Sequence, residues 1–389
     1  MMQKRYLTRA VQEDLEEKMV FLGGPRQVGK TTLARELIGI TYPWAYYTWD
    51  KIADRRTALK GEWPPDKELI LLDEFHKNPK WKTWIKGEYD TYKNKYKFLL
   101  TGSARLNVYK KGGDSLRGRY HYYRLHPFSV AEAMGLNSGM KPKEEPRFRS
   151  VGESSPFATL FEYGGFPEPF IKQNQRHWRR WNEERMEGFF REDIRDLSRI
   201  QDLGNLHLLS EILPEKVGSI LSINSLSRDL QVNFRTVSHW LDVFEQLFFC
   251  YRLLSYQSKK IAAVKKEKKL YLWDWSQVAN PASRLENLVA SHLLKYCHYL
   301  HDYDGMDAQV CYLRDVTGRE VDFCVCIDGK PWFAVEVKSG DTSLAPNLLY
   351  FSKKLDIPYC YQVTMDGSKD FLKDGIRIMP AQQFLTAFV

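Results

Sequence analysis

The stretch FLGGPRQVGKTTL, residues 21–33, decides how the chain begins to fold. It fits the pattern GxxxxGK(S/T), which needs a strand before it and a helix after it. The strand-like MVFL and the helix-like KTTLARELI supply that context. Glycines let successive backbone amides face phosphate groups, Lys30 can reach the terminal oxygens, and the Thr31 hydroxyl can ligate Mg²⁺. We therefore predict a phosphate-binding loop whose nucleotide contacts come from Gly24, Pro25, Arg26, Gln27, Val28, Gly29, Lys30, Thr31 and Thr32.

The run LILLDEF, residues 69–75, places two acids directly after four apolar residues. Such a run is typical of a buried central strand, and ligands bind at the carboxyl ends of strands in an open parallel sheet. Asp73 is expected to orient a metal ion, and Glu74 to polarise an attacking water molecule. Two solvent-facing acids at a strand end are the alternative. With a phosphate loop upstream, we expect nucleotide hydrolysis and not binding alone.

Two further segments bear on the same site. KFLLTGSARL, residues 97–106, indicates another buried strand. It ends in Thr101 and Ser103, whose hydroxyls can hold water near Glu74 or can cap a turn. In SLRGRYHYYRL, Arg117 and Arg119 precede the next strand, where a neighbouring subunit can receive one of them as an arginine finger. Both arginines are equally compatible with an ordinary exposed surface.

The first 130 residues alternate short apolar runs with helical patterns, which predicts a parallel sheet wrapped by helices. The phosphate loop, the LLDE and LLTGSA strands and the LRGR segment resemble those of prokaryotic AAA-family ATPases whose C-terminal region is a domain of unknown function. The resemblance covers most of the chain. It implies strand order 5-1-4-3-2, ATP with Mg²⁺, Thr101 or Ser103 as sensor, and Arg119 as the finger. No lid arginine is assigned, because Arg191 and Arg195 both fit.

Size, charge and cysteines set broad limits. A chain of 389 residues predicts two or three domains. The formal charge of +9 favours an anionic partner such as nucleic acid, although solvated surfaces carry similar charge. Neither a signal-peptide pattern nor a run of membrane length occurs, so we expect a cytoplasmic protein without a membrane partner. The cysteines are expected to be reduced and buried, since Cys324 and Cys326 lack a second pair for a zinc knuckle.

The middle of the chain is predicted to be helical. Residues 136–156 suit a mobile loop, and 157–203 suit a helical lid. Over residues 223–253, apolar spacing predicts a helix-turn-helix with Leu226, Leu230, Val237, Leu241 and Phe244 facing inward. LFFCYRLLSY and the lysine-rich KKIAAVKK would add a wing. The second helix would expose Arg235, Ser238, His239 and Asp242. DNA contact by that helix and a packing role are equally supported, and the wing lysines are the better candidates.

The C-terminal part contains a second set of acids. SRLENLVASHLLKYC predicts a helix with Glu286 at the edge of its apolar face. GREVDFCVCIDGKPWFAVEVKSG predicts two strands across a turn, with Asp322 on the first and Glu336 and Lys338 on one face of the second. These acids can converge on Mg²⁺, with Lys338 near the attacked phosphate.

The order of these residues resembles the core of PD-(D/E)XK nucleases, and the same ATPase family carries such a domain at its C-terminal end. The resemblance implies Glu286, Asp322 and Glu336 as metal ligands, Lys338 as a catalytic residue, and Gln362 as a later, weaker position. A degenerate or structural version of that fold stays open.

We therefore expect an α/β chain of three parts. They are an AAA ATPase domain with a helical lid (1–204), a winged helix-turn-helix (205–270) and a PD-(D/E)XK-like domain (271–389). The expected function is Mg-ATP hydrolysis, assisted by a neighbouring subunit of a homo-oligomer and coupled to nucleic acid, DNA in particular. The main alternative is a nucleotide-dependent switch that recruits a protein partner, with the nuclease-like domain inactive. A metabolic kinase is a lesser alternative.

Overall fold

The structure, a computed structural model, describes residues 4–103, 116–136, 140–152, 155–195, 200, 202–257, 267–340, 343–365 and 369–389. It contains two compact units, the first ending at His126 and the second starting at Pro127. The boundaries predicted at 204 and 270 both lie inside the second unit. The division into three domains stays a prediction.

The first unit is built on a five-stranded sheet. Its strands are β1 (Met19–Gly23), β2 (Trp44–Thr48), β3 (Leu69–Asp73), β4 (Lys97–Thr101) and β5 (Tyr120–Arg124). Every pairing is parallel, and the order across the sheet is β2-β3-β4-β1-β5. Read from the other edge this is 5-1-4-3-2, so the expected order is confirmed. β1 is buried throughout and β3 is buried up to Asp73, because their side chains are apolar.

Helices flank this sheet. They are Thr8–Leu15, Lys30–Thr32 with its π-helical continuation Leu33–Ile38, Ile52–Lys60 and Trp81–Tyr92, with a 3₁₀ turn at Phe75–Lys77. Phe21, Phe75, Trp81 and Phe98 belong to one core cluster that covers β1, β3 and β4. Because these strands are parallel and packed in register, their carboxyl ends lie at one edge of the sheet.

The second unit begins with helices. They are Val130–Ala133, Phe157–Tyr163, Pro167–Lys172, Gln175–Gly188, the π-helical Phe189–Ile194 and Leu203–Ile212. The described residues of 136–156 form turns and extended chain, with no helix or strand among them. Trp275 Nε1 donates to the Leu160 carbonyl at 2.7 Å, and Trp178 Nε1 to Ser276 Oγ at 3.0 Å. The helices predicted to form a lid thus pack against a later 3₁₀ turn, Trp275–Gln277, and their lid role stays a prediction.

A helix pair and a hairpin follow. The helices are Ile223–Asp229 and Phe234–Gln246, and the antiparallel strands are β6 (Cys250–Leu254) and β7 (Lys268–Leu272). The five apolar residues expected to face inward are all buried. Arg235, His239 and Asp242 are exposed and Ser238 is half-buried. The lysines at 259, 260, 265 and 266 lie outside the described residues, so the wing stays a proposal.

The rest of the second unit is a six-stranded mixed sheet. Its strands are β8 (Ala308–Arg314), β9 (Glu320–Ile327), β10 (Lys330–Lys338), β11 (Tyr359–Thr364), β12 (Phe371–Lys373) and β13 (Ile376–Pro380), in the order β12-β13-β11-β10-β9-β8. The predicted hairpin of β9 and β10 is confirmed. The helices are Pro281–Asp304, Pro346–Leu355 and Ala381–Phe384, with a 3₁₀ turn at Leu385–Ala387.

Two expectations about composition can be compared with the structure. All six cysteines are buried and unbridged, as predicted. Among the described helices, not one combines the length and the apolar composition needed to cross a bilayer.

One buried ion pair joins the helix Gln175–Gly188 to the chain that follows β7. Arg185 Nη1 lies 3.0 Å from Asp274 Oδ2, and both side chains are nearly excluded from solvent. The guanidinium also lies over the rings of Phe166 and Trp181, at 4.3 and 5.4 Å. Burial lowers the pKa of Arg185, and the Asp274 carboxylate opposes that effect. Removing one partner would leave an uncompensated buried charge.

We predict that Arg185→Met destabilises the protein by about 3–5 kcal/mol, because the Asp274 carboxylate stays buried without its cation. Denaturant unfolding followed by circular dichroism measures this. Arg180→Met, an exposed change on the same helix, serves as the control and should alter stability by less than about 0.5 kcal/mol. Equal losses in the two variants would contradict the assigned role of the pair.

Candidate functional site

The phosphate loop connects β1 to the helix Lys30–Thr32. Gly24 has φ +147°, and a Cβ there would lie 2.5 Å from the Leu125 carbonyl oxygen. Gly29 has φ +94° and precedes the helix directly. Side chains are excluded at the first position by space and disfavoured at both by backbone conformation. Lys30 Nζ donates to the carbonyls of Gly24 and Pro25, at 3.0 and 2.7 Å, so the ammonium lies inside the loop.

The Asp73 carboxylate is the centre of the site at the end of β3. Its Oδ2 accepts hydrogen bonds from Thr31 Oγ1 at 3.1 Å and from the Tyr46 hydroxyl at 2.7 Å. Its Oδ1 accepts a short hydrogen bond from Thr101 Oγ1. Asp73 and Thr101 are register partners in β3 and β4, so strand pairing itself brings them together. The structure therefore joins Thr31, Asp73 and Thr101, which the sequence placed in one site.

These residues suit a hard cation. Thr31 and Asp73 offer a hydroxyl and a carboxylate oxygen 3.1 Å apart, and oxygen ligands of this kind are those that Mg²⁺ takes. The side-chain partners of Asp73 among the described residues are all neutral hydroxyls. None of these partners carries a positive charge that would compete with a bound cation. The donor set fits Mg²⁺ bound together with a nucleotide.

Glu74 lies next to this carboxylate in an unusual conformation. Its φ of +57° lies in the left-handed region, and its backbone N–H donates to the Thr101 carbonyl at 3.0 Å. Its Oε2 is buried without a hydrogen bond, 3.5 Å from His76 Nε2 and 3.8 Å from Lys77 Nζ. Burial raises the pKa of Glu74, while the charge of Lys30 lowers it. The Glu74 carboxylate is thus poorly solvated and electrostatically coupled to the phosphate loop.

Ser103 and Arg119 lie in other surroundings. Ser103 Oγ is 3.4 Å from His76 Nε2, the ring that also neighbours Glu74. Arg119 makes a two-pronged ion pair with Asp90 on the helix Trp81–Tyr92, with N–O distances of 2.7 and 3.0 Å. Its guanidinium is thus held within its own chain, on a partly exposed surface. Arg119 as a finger stays a proposal.

Tyr46 is a residue that the sequence did not single out. It lies on β2, which neighbours β3, and its hydroxyl holds the same Asp73 oxygen as Thr31 does. Burial, together with the hydrogen bond to Asp73, raises the pKa of Tyr46, so the phenol remains a donor. The sequence did contain a signal for this role. The expected strand order places β2 beside β3, and Tyr46 lies near the carboxyl end of β2.

The second set of acids also converges. Glu286 lies on the helix Pro281–Asp304, Asp322 on β9, and Glu336 and Lys338 on β10. Asp322 Oδ2 accepts from the Val337 N–H at 2.9 Å, and Lys338 Nζ lies 2.8 Å from Glu336 Oε1. Glu336 Oε2 is buried without a hydrogen bond. We call Glu286, Glu320, Asp322 and Glu336 the carboxylate centre.

The carboxylate centre contains a cation that the sequence did not reveal. Lys269, on β7, is 2% exposed. Its Nζ lies 2.7 Å from Glu320, 3.4 Å from Asp322 and 3.5 Å from Glu286. The available signal was strand alternation: Lys269 and Tyr271 share a face of β7, and the Tyr271 hydroxyl also donates to Glu286, at 2.8 Å.

Burial dominates the electrostatics of this centre. It raises the pKa of Glu286 to about 8 and that of Glu336 to about 7, and in both cases the Asp322 charge adds to the effect. Gln362, the weaker expected position, is buried; it accepts from the Ala345 N–H and donates to the Ser343 carbonyl, both within 2.9 Å. It therefore positions the chain before the helix Pro346–Leu355.

Comparisons with known proteins agree with the geometry of the first unit. Residues 16–134 match the AAA domain family. Residues 155–285 and 283–384 match two families described as domains of unknown function, DUF8612 and DUF4143. The AAA match and the observed strand order define the class: residues 16–134 are an AAA-type ATPase domain with a P-loop.

Individual relatives are distant. An uncharacterized protein of Mycobacterium tuberculosis is 25% identical over 262 residues, which are 66% of this chain and 54% of that protein. The chain thus spans about half the length of that relative. An uncharacterized protein of Haemophilus influenzae is 21% identical over 326 residues, 75% of this chain and 78% of that protein. A Walker-type ATPase structure from Pyrococcus abyssi is 14% identical, with a TM-score of 0.42 over 73% of this chain and 95% of that one.

We predict that Tyr46→Phe lowers the rate of ATP turnover about tenfold, because a hydrogen bond to a charged group contributes ~1.5 kcal/mol and positions the Asp73 carboxylate. Steady-state kinetics should show the change in kcat, with KM for ATP altered less than twofold. Tyr42→Phe is the matched control, since that hydroxyl contacts Glu16 on an exposed surface and should leave kcat unchanged. A raised KM with unchanged kcat would show that Tyr46 acts on nucleotide binding instead.

Proposed function

We propose that the chain hydrolyses Mg-ATP at the P-loop, and that the nucleotide state controls a second unit associated with nucleic acid. The observation that carries the first half is the Asp73 carboxylate, held by hydroxyls of Thr31, Tyr46 and Thr101, with Glu74 buried beside it. A domain that only held nucleotide would not need a desolvated second acid at this position.

Each residue has a distinct role in this proposal. Backbone amides of the loop and the Lys30 ammonium bind the phosphates. Thr31 and Asp73 would hold Mg²⁺, which when bound would offset negative charge on the phosphates. Glu74 accepts the proton of the attacking water, a role for which a carboxylate with a raised pKa is suited. Thr101 or Ser103 would sense the position of the γ-phosphate.

Arg119 fits the role of a finger given to a neighbouring subunit. Its pair with Asp90 is partly exposed, and such pairs contribute little to stability. Little free energy is therefore lost when Arg119 leaves Asp90 and binds the negative charge that develops on a phosphate in another subunit. This step requires a homo-oligomer, which is part of the proposal.

We predict that Glu74→Gln retains ATP but turns it over at least about a hundredfold more slowly, because the proton acceptor is lost. Lys30→Ala should lose ATP binding as well. Phosphate release and binding of a fluorescent ATP analogue measure the two effects. Glu68→Gln is the control, an exposed acid that precedes the same strand β3 at its opposite end. Wild-type turnover by Glu74→Gln would reduce the domain to a nucleotide-binding switch.

The second unit offers a basic surface for nucleic acid. Arg176, Arg179 and Arg180 are exposed on the helix Gln175–Gly188 at spacings of three and four residues, so they lie on one face. The net charge of +9 supports an anionic partner. The helix pair beginning at Ile223 and the adjacent hairpin have the composition of a winged helix, which we propose as a further contact to DNA.

The six-stranded sheet is proposed to be nuclease-like in fold. Cleavage would need Glu286, Asp322 and Glu336 to hold Mg²⁺, with Lys338 beside the attacked phosphate. The Lys269 ammonium already contacts Glu286 and Asp322, so this donor set does not fit a divalent ion. We therefore favour association with nucleic acid over its cleavage.

We predict that Arg179→Gln/Arg180→Gln weakens DNA binding and lowers the salt dependence of log K by about two, because each phosphate contact contributes a slope of about 0.9. Fluorescence anisotropy across a salt series measures both. Lys353→Gln/Lys354→Gln removes the same charge from another exposed helix and should leave the slope unchanged. If wild type retains no DNA at low salt, while a co-purifying protein is lost on Lys30→Ala, the protein-recruiting switch replaces this proposal.

A further inference from the structure

The carboxylate centre differs from a metal site in how its charge is balanced. Each of its four acids has a cationic neighbour. Lys269 contacts Glu286, Asp322 and Glu320. Arg314 Nη1 lies 2.6 Å from Glu320 Oε2, and Lys338 Nζ lies 2.8 Å from Glu336 Oε1. Four acidic side chains, two of them with raised pKa values, thus face three cations among the described residues. Little negative charge remains to offset the dehydration of a divalent ion.

Three of the four carboxylate oxygens of Asp322 and Glu286 have polar partners. In Asp322, Oδ1 faces Lys269 and Oδ2 accepts the Val337 N–H. In Glu286, Oε1 accepts a hydrogen bond from the Tyr271 hydroxyl. Its Oε2 lies so close to Gly218 that a Cβ added to this glycine would be 2.6 Å from the oxygen. A metal ion bound by this pair would have to break these contacts. The metal ion would also be repelled by the Lys269 ammonium, which is buried and cannot move into solvent.

We propose that Lys269 is the resident cation of the carboxylate centre, taking the place of a divalent metal ion and locking the β6–β7 hairpin to the helix Pro281–Asp304 and to β9. The centre is then metal-free. One lysine replaces an ion that could be lost or exchanged. This inference is independent of the ATPase proposal, because it concerns other residues and a different measurement.

One observation favours a metal ion at the carboxylate centre, and it concerns Glu336 Oε2. It is buried and without a hydrogen bond, which is a common sign of a missing ligand. A single oxygen cannot supply the several oxygen ligands that Mg²⁺ or Mn²⁺ requires. The other Glu336 oxygen is already paired with Lys338.

The test counts Mn²⁺ bound to the full chain without nucleotide, by electron paramagnetic resonance of the free ion. All samples carry Asp73→Asn, which removes the P-loop ligand. We expect the parent to have no Mn²⁺ site at the carboxylate centre. Adding Asp322→Asn to the parent should therefore leave the amount of bound Mn²⁺ unchanged. Stoichiometric Mn²⁺ binding by the parent, abolished by Asp322→Asn, would overturn the proposal.

Adding Lys269→Ala to the same parent should create one Mn²⁺ site per chain, and Asp322→Asn should abolish it again. Lys268→Ala, the neighbouring strand residue with a half-exposed side chain, is the matched control and should create none. Circular dichroism reports whether each variant folds. If Lys269→Ala does not fold, the parent measurement still decides, because it needs no change at Lys269. A folded Lys269→Ala that gains no Mn²⁺ would contradict the replacement of a metal ion.

Discussion

Parallel strand register is the constraint on which the nucleotide site depends. Asp73 and Thr101 are register partners at the ends of β3 and β4, and β2 brings Tyr46 to the same carboxylate from the other side. Hydroxyl donors from three neighbouring elements therefore meet one acid without any loop having to be ordered for the purpose. A shift of one residue in either pairing would turn these side chains to the opposite face of the sheet.

The first unit was largely predictable for the same reason. Runs such as LILLDEF are apolar up to the residue where the strand ends, so the sequence marks both the buried strand and the polar residues at its tip. The role of Tyr46 could not be predicted in this way, because β2 is half-buried along its whole length and shows no change from apolar to polar residues at its end. Its role depends on which strand lies beside β3, and that is a property of the sheet and not of the local pattern.

The second unit was harder to predict because its important contacts join distant segments. Lys269 closes a lysine-rich run, and charge runs usually indicate a solvated surface. The strand that begins at Lys268 instead carries Lys269 inward beside Tyr271, where acids of a helix and of β9 meet it. The sequence analysis placed Glu286, Asp322, Glu336 and Lys338 in one site, and the structure brings these segments close together. It could not show that a lysine from another strand joins them.

The two acidic sites of this chain show how the same side chain can be prepared for different uses. At Asp73 the partners are hydroxyls, which orient the carboxylate and leave its charge unopposed. At Asp322 the partners are an ammonium and a backbone amide, which orient the carboxylate and partly offset its charge. Coulomb attraction to a divalent ion depends on the net charge that remains, not on the number of acids. Carboxylates alone make the two sites look alike in the sequence, whereas their buried cationic neighbours distinguish the site proposed to hold Mg²⁺ from the one proposed to hold Lys269 in its place.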